Sequence, residues 1–251
     1  MTNVLICGVG TQAAIVYYKL NKKRNDIIVV CGVDRENYLN SECDFPVYKS
    51  FDEVREMVDV VIDFSSPDML GEVLSFVKEN NCVLIEGVAG YTKKQKQQIV
   101  EAGASVPIFM SNYLSLALNT FFKACIEAAK SLGEDTDIEI IEKYYGTKIN
   151  APGATTLTLA EEINEALGGT RKIVVGRASC RKGGEICIHA VRGGNVVGEL
   201  EVMFMGKNEV LTFKHQALTK SIYAESAMNL IDFMADKPNG FYNMKDYFNI
   251  K

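Results

Sequence analysis

The chain has 251 residues, 47% of them hydrophobic and 24% charged, with a formal net charge of −5. That length suits one large domain or two smaller ones with separate cores, and no apolar run approaches the roughly 18 to 20 residues that cross a bilayer. The acidic balance argues against nucleic acid as the main partner, and the seven cysteines and two histidines show no zinc-ligand spacing, so no metal is expected.

The N-terminus passes directly into an apolar strand over Val4–Cys7, without a basic flank or cleavage site, which points to a cytoplasmic protein with reduced thiols. Helical periodicity follows over Gln12–Leu20, and a β-branched run at Ile27–Val33 reads as a buried parallel strand. A third strand spans Val58–Phe64. Ser66 as N-cap and Pro67 at the first helical position then start a helix. Cys82–Glu86 is a strand, Thr92 caps a helix running through Ala102, and Val106–Met110 is the next strand. Repeated β-α units of this kind predict a doubly wound parallel sheet with right-handed crossovers.

The second half changes character. A long helix over Leu116–Ser131 leads to a strand over Thr136–Ile141, with the tyrosine-bearing segment just beyond it, and then to an amphipathic helix over Thr155–Ala166. Three β-type runs follow, Glu185–Arg192, Val196–Phe204 and Glu209–His215, and Arg192-Gly193-Gly194-Asn195 reads as a tight hairpin between the first two. A helix over Ser221–Met234 ends at Lys-Pro-Asn-Gly. The fold expected is α/β: an N-terminal Rossmann domain (1–113 with 221–251) and a C-terminal α+β domain (114–220) with a mixed or antiparallel sheet.

Gly8-Val9-Gly10-Thr11-Gln12-Ala13 follows the first strand and opens a helix, in the Gly-x-Gly-x-x-Ala form of the dinucleotide fingerprint. Gly8 permits the tight turn, Gly10 admits the pyrophosphate, and Ala13 allows close helix–sheet packing. Amides of Thr11 and Gln12 at the helix start suit phosphate charge. Asp34 ends the second strand about 20 residues further on, where an acid holds the adenosine ribose hydroxyls. Arg35 beside it suits adenine stacking or a 2′-phosphate. The pair fits use of NADH or NADPH, with Asp34 favouring NADH. His189 and His215 fall within strands and read as structural.

The segment Glu142-Lys143-Tyr144-Tyr145-Gly146-Thr147-Lys148-Ile149-Asn150-Ala151-Pro152-Gly153-Ala154-Thr155 resembles the active-site segment of the dihydrodipicolinate reductases, lysine-pathway enzymes that reduce a cyclic imine dicarboxylate. Other stretches are similar to that family as well: Asp63-Phe64-Ser65-Ser66-Pro67, Gly87-Val88-Ala89-Gly90-Tyr91 in place of its Gly-Thr-Thr-Gly-Phe nicotinamide loop, Ser111-Asn112-Tyr113, the stretch 188–199, and Lys237-Pro238-Asn239-Gly240. The resemblance implies that Phe64, Ser65, Gly87, Ala89 and Asn112 meet the cofactor, and that Tyr145, Lys148, Gly153, Ala154 and Thr155 meet a small carboxylate substrate. It also implies a homotetramer built through the second domain.

The chain departs from the family pattern in a cluster. The two adjacent histidines are Tyr144 and Tyr145, the usual Asp-Ala-Pro-Ser-Gly-Thr reads Asn150-Ala151-Pro152-Gly153-Ala154-Thr155, both loop threonines are apolar, and the first glycine motif is one residue short. Tyr144 stands in the place of the catalytic histidine. A phenol, with a pKa of about 10, is a weaker acid than imidazolium at neutral pH, but a nearby cation such as Lys148 stabilises its phenolate. The catalytic residues expected are therefore Tyr144 and Lys148. Two other functions fit the same residues: a paralogue acting on a different imine acid, and a dinucleotide-binding sensor or assembly protein without turnover.

Overall fold

The computed structural model describes residues 1–10, 24–36, 43–88, 90–111, 113–133, 135–219 and 222–248, with backbone only at 223 and 224. The chain divides into two compact units, Met1–Ser115 with Lys220–Lys251, and Leu116–Thr219. The helices among the described residues are α1 (Leu70–Glu79), α2 (Lys93–Ala102), α3 (Leu116–Leu132), α4 (Ala154–Ala166), α5 (Ile222–Met234) and α6 (Met244–Tyr247). Among those residues no helix is long and apolar enough to cross a membrane. The helix expected over 12–20 lies outside the described residues.

In the first unit, β1 (Thr2–Cys7), β2 (Ile27–Val33), β3 (Val47–Tyr48), β4 (Val60–Asp63), β5 (Val83–Glu86), β6 (Pro107–Met110) and β12 (Gly240–Tyr242) form one sheet in the order β12-β6-β5-β4-β1-β2-β3. Every pairing is parallel. The C-terminal parts of β1 and β2 and the whole of β4 are buried, as the apolar runs require of a sheet covered on both faces. The strand order reverses between β1 and β4, which makes their C-terminal ends the switch point where ligands bind in open α/β sheets.

Local chemistry sets the element ends. Thr92 caps α2 in a reciprocal box: its hydroxyl oxygen accepts from the Gln95 amide and the Gln95 side chain accepts from the Thr92 amide. Ser66 behaves differently from expectation. A 3-10 turn over Pro67–Met69 intervenes before α1, and Ser66 makes no side-chain cap. Its hydroxyl donates to Asp68 Oδ1 at 2.6 Å, while its carbonyl takes the Met69 amide at 3.0 Å. The edge strands β3 and β12 escape sequence reading because two or three residues carry no periodicity.

The second unit holds β7 (Asp137–Tyr144), β8 (Lys172–Val175), β9 (Glu185–Arg192), β10 (Gly198–Met205) and β11 (Val210–Ala217), in the order β11-β10-β7-β9-β8. β10 pairs antiparallel with β11 and with β7, while β9 pairs parallel with β7 and β8. The hairpin expected at 192–195 is therefore absent. β7 lies between β9 and β10, and the two glycines bind its end instead: the Gly193 amide donates to the Tyr144 carbonyl at 3.0 Å and the Gly146 amide to Gly194 at 3.1 Å. β7 also runs to Tyr144, beyond the end expected at 141, because β9 and β10 both continue to pair with it. Helices α3 and α4 pack on this sheet. The alternation of β7 buries Ile138, Ile140 and Glu142.

Candidate active site

At the switch point of the first sheet, a cleft of about 380 Å³ is lined by Gly8, Gly10, Asp34, Arg35, Phe64 and Ser65, among others. Gly8 is held there by two independent constraints. Its φ is +80°, and an added Cβ would come within 2.7 Å of Ser65 N and Cα, so any side chain there strains the backbone and forces the two loops apart. At Gly10 an added Cβ would meet nothing within 4 Å, which leaves that part of the loop open to a ligand. Asp34 joins the two loops, with Oδ2 accepting from the Val9 amide at 2.8 Å and Oδ1 from the Glu36 amide at 2.9 Å. Arg35 is paired with Glu72 and lies 3.4 Å from Asp68.

Six of the expected cofactor residues thus share one cleft. Gly87 does not line it. An added Cβ there would lie 2.6 Å from Leu114 Cδ1 and 3.2 Å from Phe64 Cδ1, so this glycine serves close packing behind the loop. Thr11, Gln12, Ala13, Ala89 and Asn112 lie outside the described residues.

In the second unit the expected catalytic pair lies together. Tyr144 ends β7, and its ring has Lys148 Nζ at 5.0 Å and Arg192 Cζ at 5.4 Å from the centroid. Both cations sit within reach of the ring face, where its quadrupole attracts them. The ring edge packs against Gly198, where an added Cβ would be 2.9 Å from Cε1. Among the described residues Lys148 has no carboxylate partner, so its charge is available to an anion. Tyr145 is 36% exposed.

Two residues that sequence reasoning left without a role organise this loop. Glu142 is fully buried and accepts from the Gly153 amide at 2.9 and 3.1 Å, from the Thr156 hydroxyl, and from the Arg192 guanidinium. Arg192 also donates to the Asn150 carbonyl at 2.6 Å. Together they tie the ends of β7 and β9 to the loop carrying Lys148 and to the start of α4. The signal was present in the sequence: a carboxylate occupies the buried register set by Ile138 and Ile140. Gly153 gives its amide to Glu142, and an added Cβ would sit 3.3 Å from Glu142 Oε2 and 3.4 Å from Lys148 Cε. The amides of Ala154 and Thr155, in the first turn of α4, have no acceptor within the helix and open towards negative charge.

The histidines stand apart from this loop. His189 Nε2 lies 2.6 Å from Glu139 Oε2, and burial pushes the His215 imidazole pKa down. Glu139, Cys187 and His189 bring three potential metal ligands within 4.8 Å. The Glu139 carboxylate already pairs with Arg177 at 2.7 Å, and Arg181 lies 3.8 Å away, so two positive charges oppose a cation.

Comparison with known proteins covers both units. A family model described as dihydrodipicolinate reductase, N-terminus, matches residues 2–113, and one described as dihydrodipicolinate reductase, C-terminus, matches residues 117–248. The chain is 35% identical over 246 residues to a 4-hydroxy-tetrahydrodipicolinate reductase of Clostridium tetani, covering 97% of this chain and 96% of that one. It is 36% identical over 249 residues to the enzyme of the same name from Caldanaerobacter subterraneus, covering 98% of each. Among solved structures, the dipicolinate-bound dihydrodipicolinate reductase from Paenisporosarcina sp. TG-14 shares the fold across 100% of both chains, with a TM-score of 0.79 at 19% identity.

Proposed function

The chain belongs to the dihydrodipicolinate reductase family, and from that premise we propose that it reduces 4-hydroxy-tetrahydrodipicolinate with a nicotinamide dinucleotide, in the route to diaminopimelate and lysine. The observation that carries this reading in the chain's own residues is the loop at the end of β7. There Lys148, with no carboxylate partner among the described residues, lies over the Tyr144 ring at 5.0 Å, on the segment that leads into the first turn of α4. A small dianion suits that combination: one ammonium, and two backbone amides at a helix start.

The cleft beside Gly8 fits a dinucleotide. Its floor has no room for a side chain at Gly8, and its loop is open at Gly10. Asp34, on the cleft wall, takes the ribose hydroxyls, with Phe64 and Ser65 on the opposite strand end. Once the substrate's 4-hydroxyl has left as water, a bound nicotinamide would supply a hydride to the conjugated imine that remains. Lys148 and the amides of Ala154 and Thr155 hold a substrate carboxylate, with Thr155 adding a hydroxyl and Tyr145 shielding the site. Tyr144 delivers the proton that balances hydride addition. A phenol is already in its acid form at neutral pH, and Lys148 and Arg192 over the ring lower the cost of leaving a phenolate.

NADH is the preferred cofactor. Asp34, Glu36 and Asp68 line the adenosine end, and the one arginine among the described lining residues is already engaged by Asp68 and Glu72, so among those residues a 2′-phosphate meets negative charge without a free counter-charge. The enzyme assembles as a homotetramer through the helix-free face of the second sheet, where Ile141, Val191, Met203, Met205 and Val210 are at least partly exposed. Seven unpaired cysteines suit the reducing cytoplasm, where we place it.

The test is steady-state turnover of substrate generated in situ, followed by loss of reduced cofactor absorbance. Turnover with both cofactors and a lower KM for NADH is expected. Cofactor binding without oxidation of either dinucleotide would overturn the assignment.

A further inference from the structure

The C-terminal ends of β4 and β5 carry two carboxylic acids side by side. Asp63 and Glu86 are register partners on adjacent strands, and both are 0% exposed. Each braces the loop that follows its own strand: Asp63 Oδ1 accepts from the Ser65 amide and Glu86 Oε1 from the Val88 amide, both at 2.8 Å. The other oxygen of each, Asp63 Oδ2 and Glu86 Oε2, is buried and receives no donor. The two side chains leave paired positions on the same face of the sheet, so their carboxyl groups are neighbours. Among the described residues no lysine, arginine or histidine pairs with either.

Among the described residues, the titratable groups that face the pair are Cys7 from β1 and Tyr91 from the loop after β5, with the Ser65 hydroxyl beside them. Burial, then the Asp63 charge, holds the Cys7 thiol well above its usual range, and burial, then the Glu86 charge, raises the Tyr91 phenol. Both stay neutral and supply no positive charge. Two carboxylates so close and so dry cannot both ionise without a counter-charge. Burial raises Asp63, and burial together with the Asp63 charge raises Glu86 well above the ordinary carboxyl range. In such a pair the titration belongs to both groups together.

We propose that Asp63 and Glu86 hold one proton in common and act as a single brace between the loops after β4 and β5, so that dinucleotide affinity depends on that proton. Ser65 is the point of leverage. It lines the cleft, and its backbone is the surface against which Gly8 closes, with only 2.7 Å to an added Cβ. Loss of the proton leaves two like charges at neighbouring strand ends, drives the ends apart, and moves Ser65 away from the first loop. These are positioning residues for the cofactor, and the inference rests on the dinucleotide reading of the cleft.

Infrared difference spectra of the full chain, with pH raised from about 5 to about 9, test the shared proton directly. The expected result is one carboxylic-acid carbonyl band that titrates away in a single step and is missing in Glu86→Gln. In parallel, fluorescence titration with NADH should show Kd rising about tenfold per pH unit above that step. In Glu86→Gln, which keeps an acceptor for the Val88 amide, Kd should stay flat. No acid band in the wild-type chain overturns the proposal, and so does a band that titrates while NADH affinity stays constant. If NADH fails to bind at every pH, the cofactor reading falls. Amide exchange at Ser65 and Val88 then decides the brace, which requires both to lose protection at the step and fails if they do not. Should Glu86→Gln not fold, the wild-type titrations still decide for or against the shared proton, with Asp63→Asn as the second variant.

Discussion

Replacing Glu142 with Gln preserves the outline of the side chain and removes its charge. The native carboxylate is fully buried and serves three donors, the Gly153 amide, the Thr156 hydroxyl and the Arg192 guanidinium. A glutamine offers one carbonyl oxygen, and its NH2 faces donors, so Arg192, whose side chain is 16% exposed, is left without a counter-ion. Removing one partner of a buried pair costs about 3–5 kcal/mol. Partial exposure of Arg192 places this case near the lower end, at about 3 kcal/mol, roughly a hundredfold in the folding equilibrium. Arg192→Met alone is also destabilising, because Glu142 is then the orphan. In the double variant neither charge is stranded, so the combined loss falls short of the sum by about 2 kcal/mol. The assay is urea unfolding of the four proteins by far-ultraviolet circular dichroism, repeated for kcat/KM, since the same contacts hold the Lys148 loop. Losses that add to within about 0.5 kcal/mol would refute the account of Glu142 and Arg192 as one unit.

Three further outcomes are expected. Gly8→Ala combines a left-handed backbone, costing about 1–2 kcal/mol in a non-glycine residue, with a backbone contact of 2.7 Å; circular dichroism should show a folded chain and calorimetry a Kd for NADH at least about tenfold weaker, and wild-type affinity would contradict the cleft assignment. Neutralising Asp68 and Glu72 together releases Arg35 and should shift the NADPH to NADH ratio of kcat/KM by about fivefold towards NADPH, about 1 kcal/mol for an exposed pair; an unchanged ratio would mean that Arg35 does not meet the 2′ position. Because the folded pKa of Glu86 is raised above its ordinary 4.5, the folded state holds a proton that the unfolded chain releases. Stability is therefore full below about 4.5 and is lost as pH rises towards the folded value, by about 1.4 kcal/mol per pH unit. Glu86→Gln should flatten that slope in unfolding measured across pH, and an identical slope in both proteins would show that another group carries it.

Much of the parallel sheet was legible because burial on both faces turns each strand into an apolar run: the span 27–33 coincides with β2. Thr92 was legible because its capping box is local chemistry. The hairpin at 192–195 was misread for the opposite reason. Turn residues report that the chain changes direction, and nothing local reports that β7 has inserted between β9 and β10. At the site, Gly8 and Asp34 stood out through the spacing of the dinucleotide fingerprint, and Lys148 through the resemblance of the segment 142–155 to the family's active-site segment. Arg192 was visible only as part of a turn, and its role follows from a carboxylate fifty residues away. Asp63 and Glu86 each end an apolar run in the sequence; only the register of β4 and β5 makes them a pair.

The central claim is that a tyrosine under two cations does the acid chemistry of this site. Steady-state rates of Tyr144→Phe and Lys148→Ala with in situ substrate and NADH, alongside NADH affinity for each variant, test it most directly. Tyr144→Phe keeps the ring and removes only the hydroxyl, so the account predicts that kcat falls by about 10²-fold or more while NADH affinity is unchanged, and that Lys148→Ala chiefly raises the substrate KM. A Tyr144→Phe enzyme that turns over at the wild-type rate would contradict it and move the proton source elsewhere.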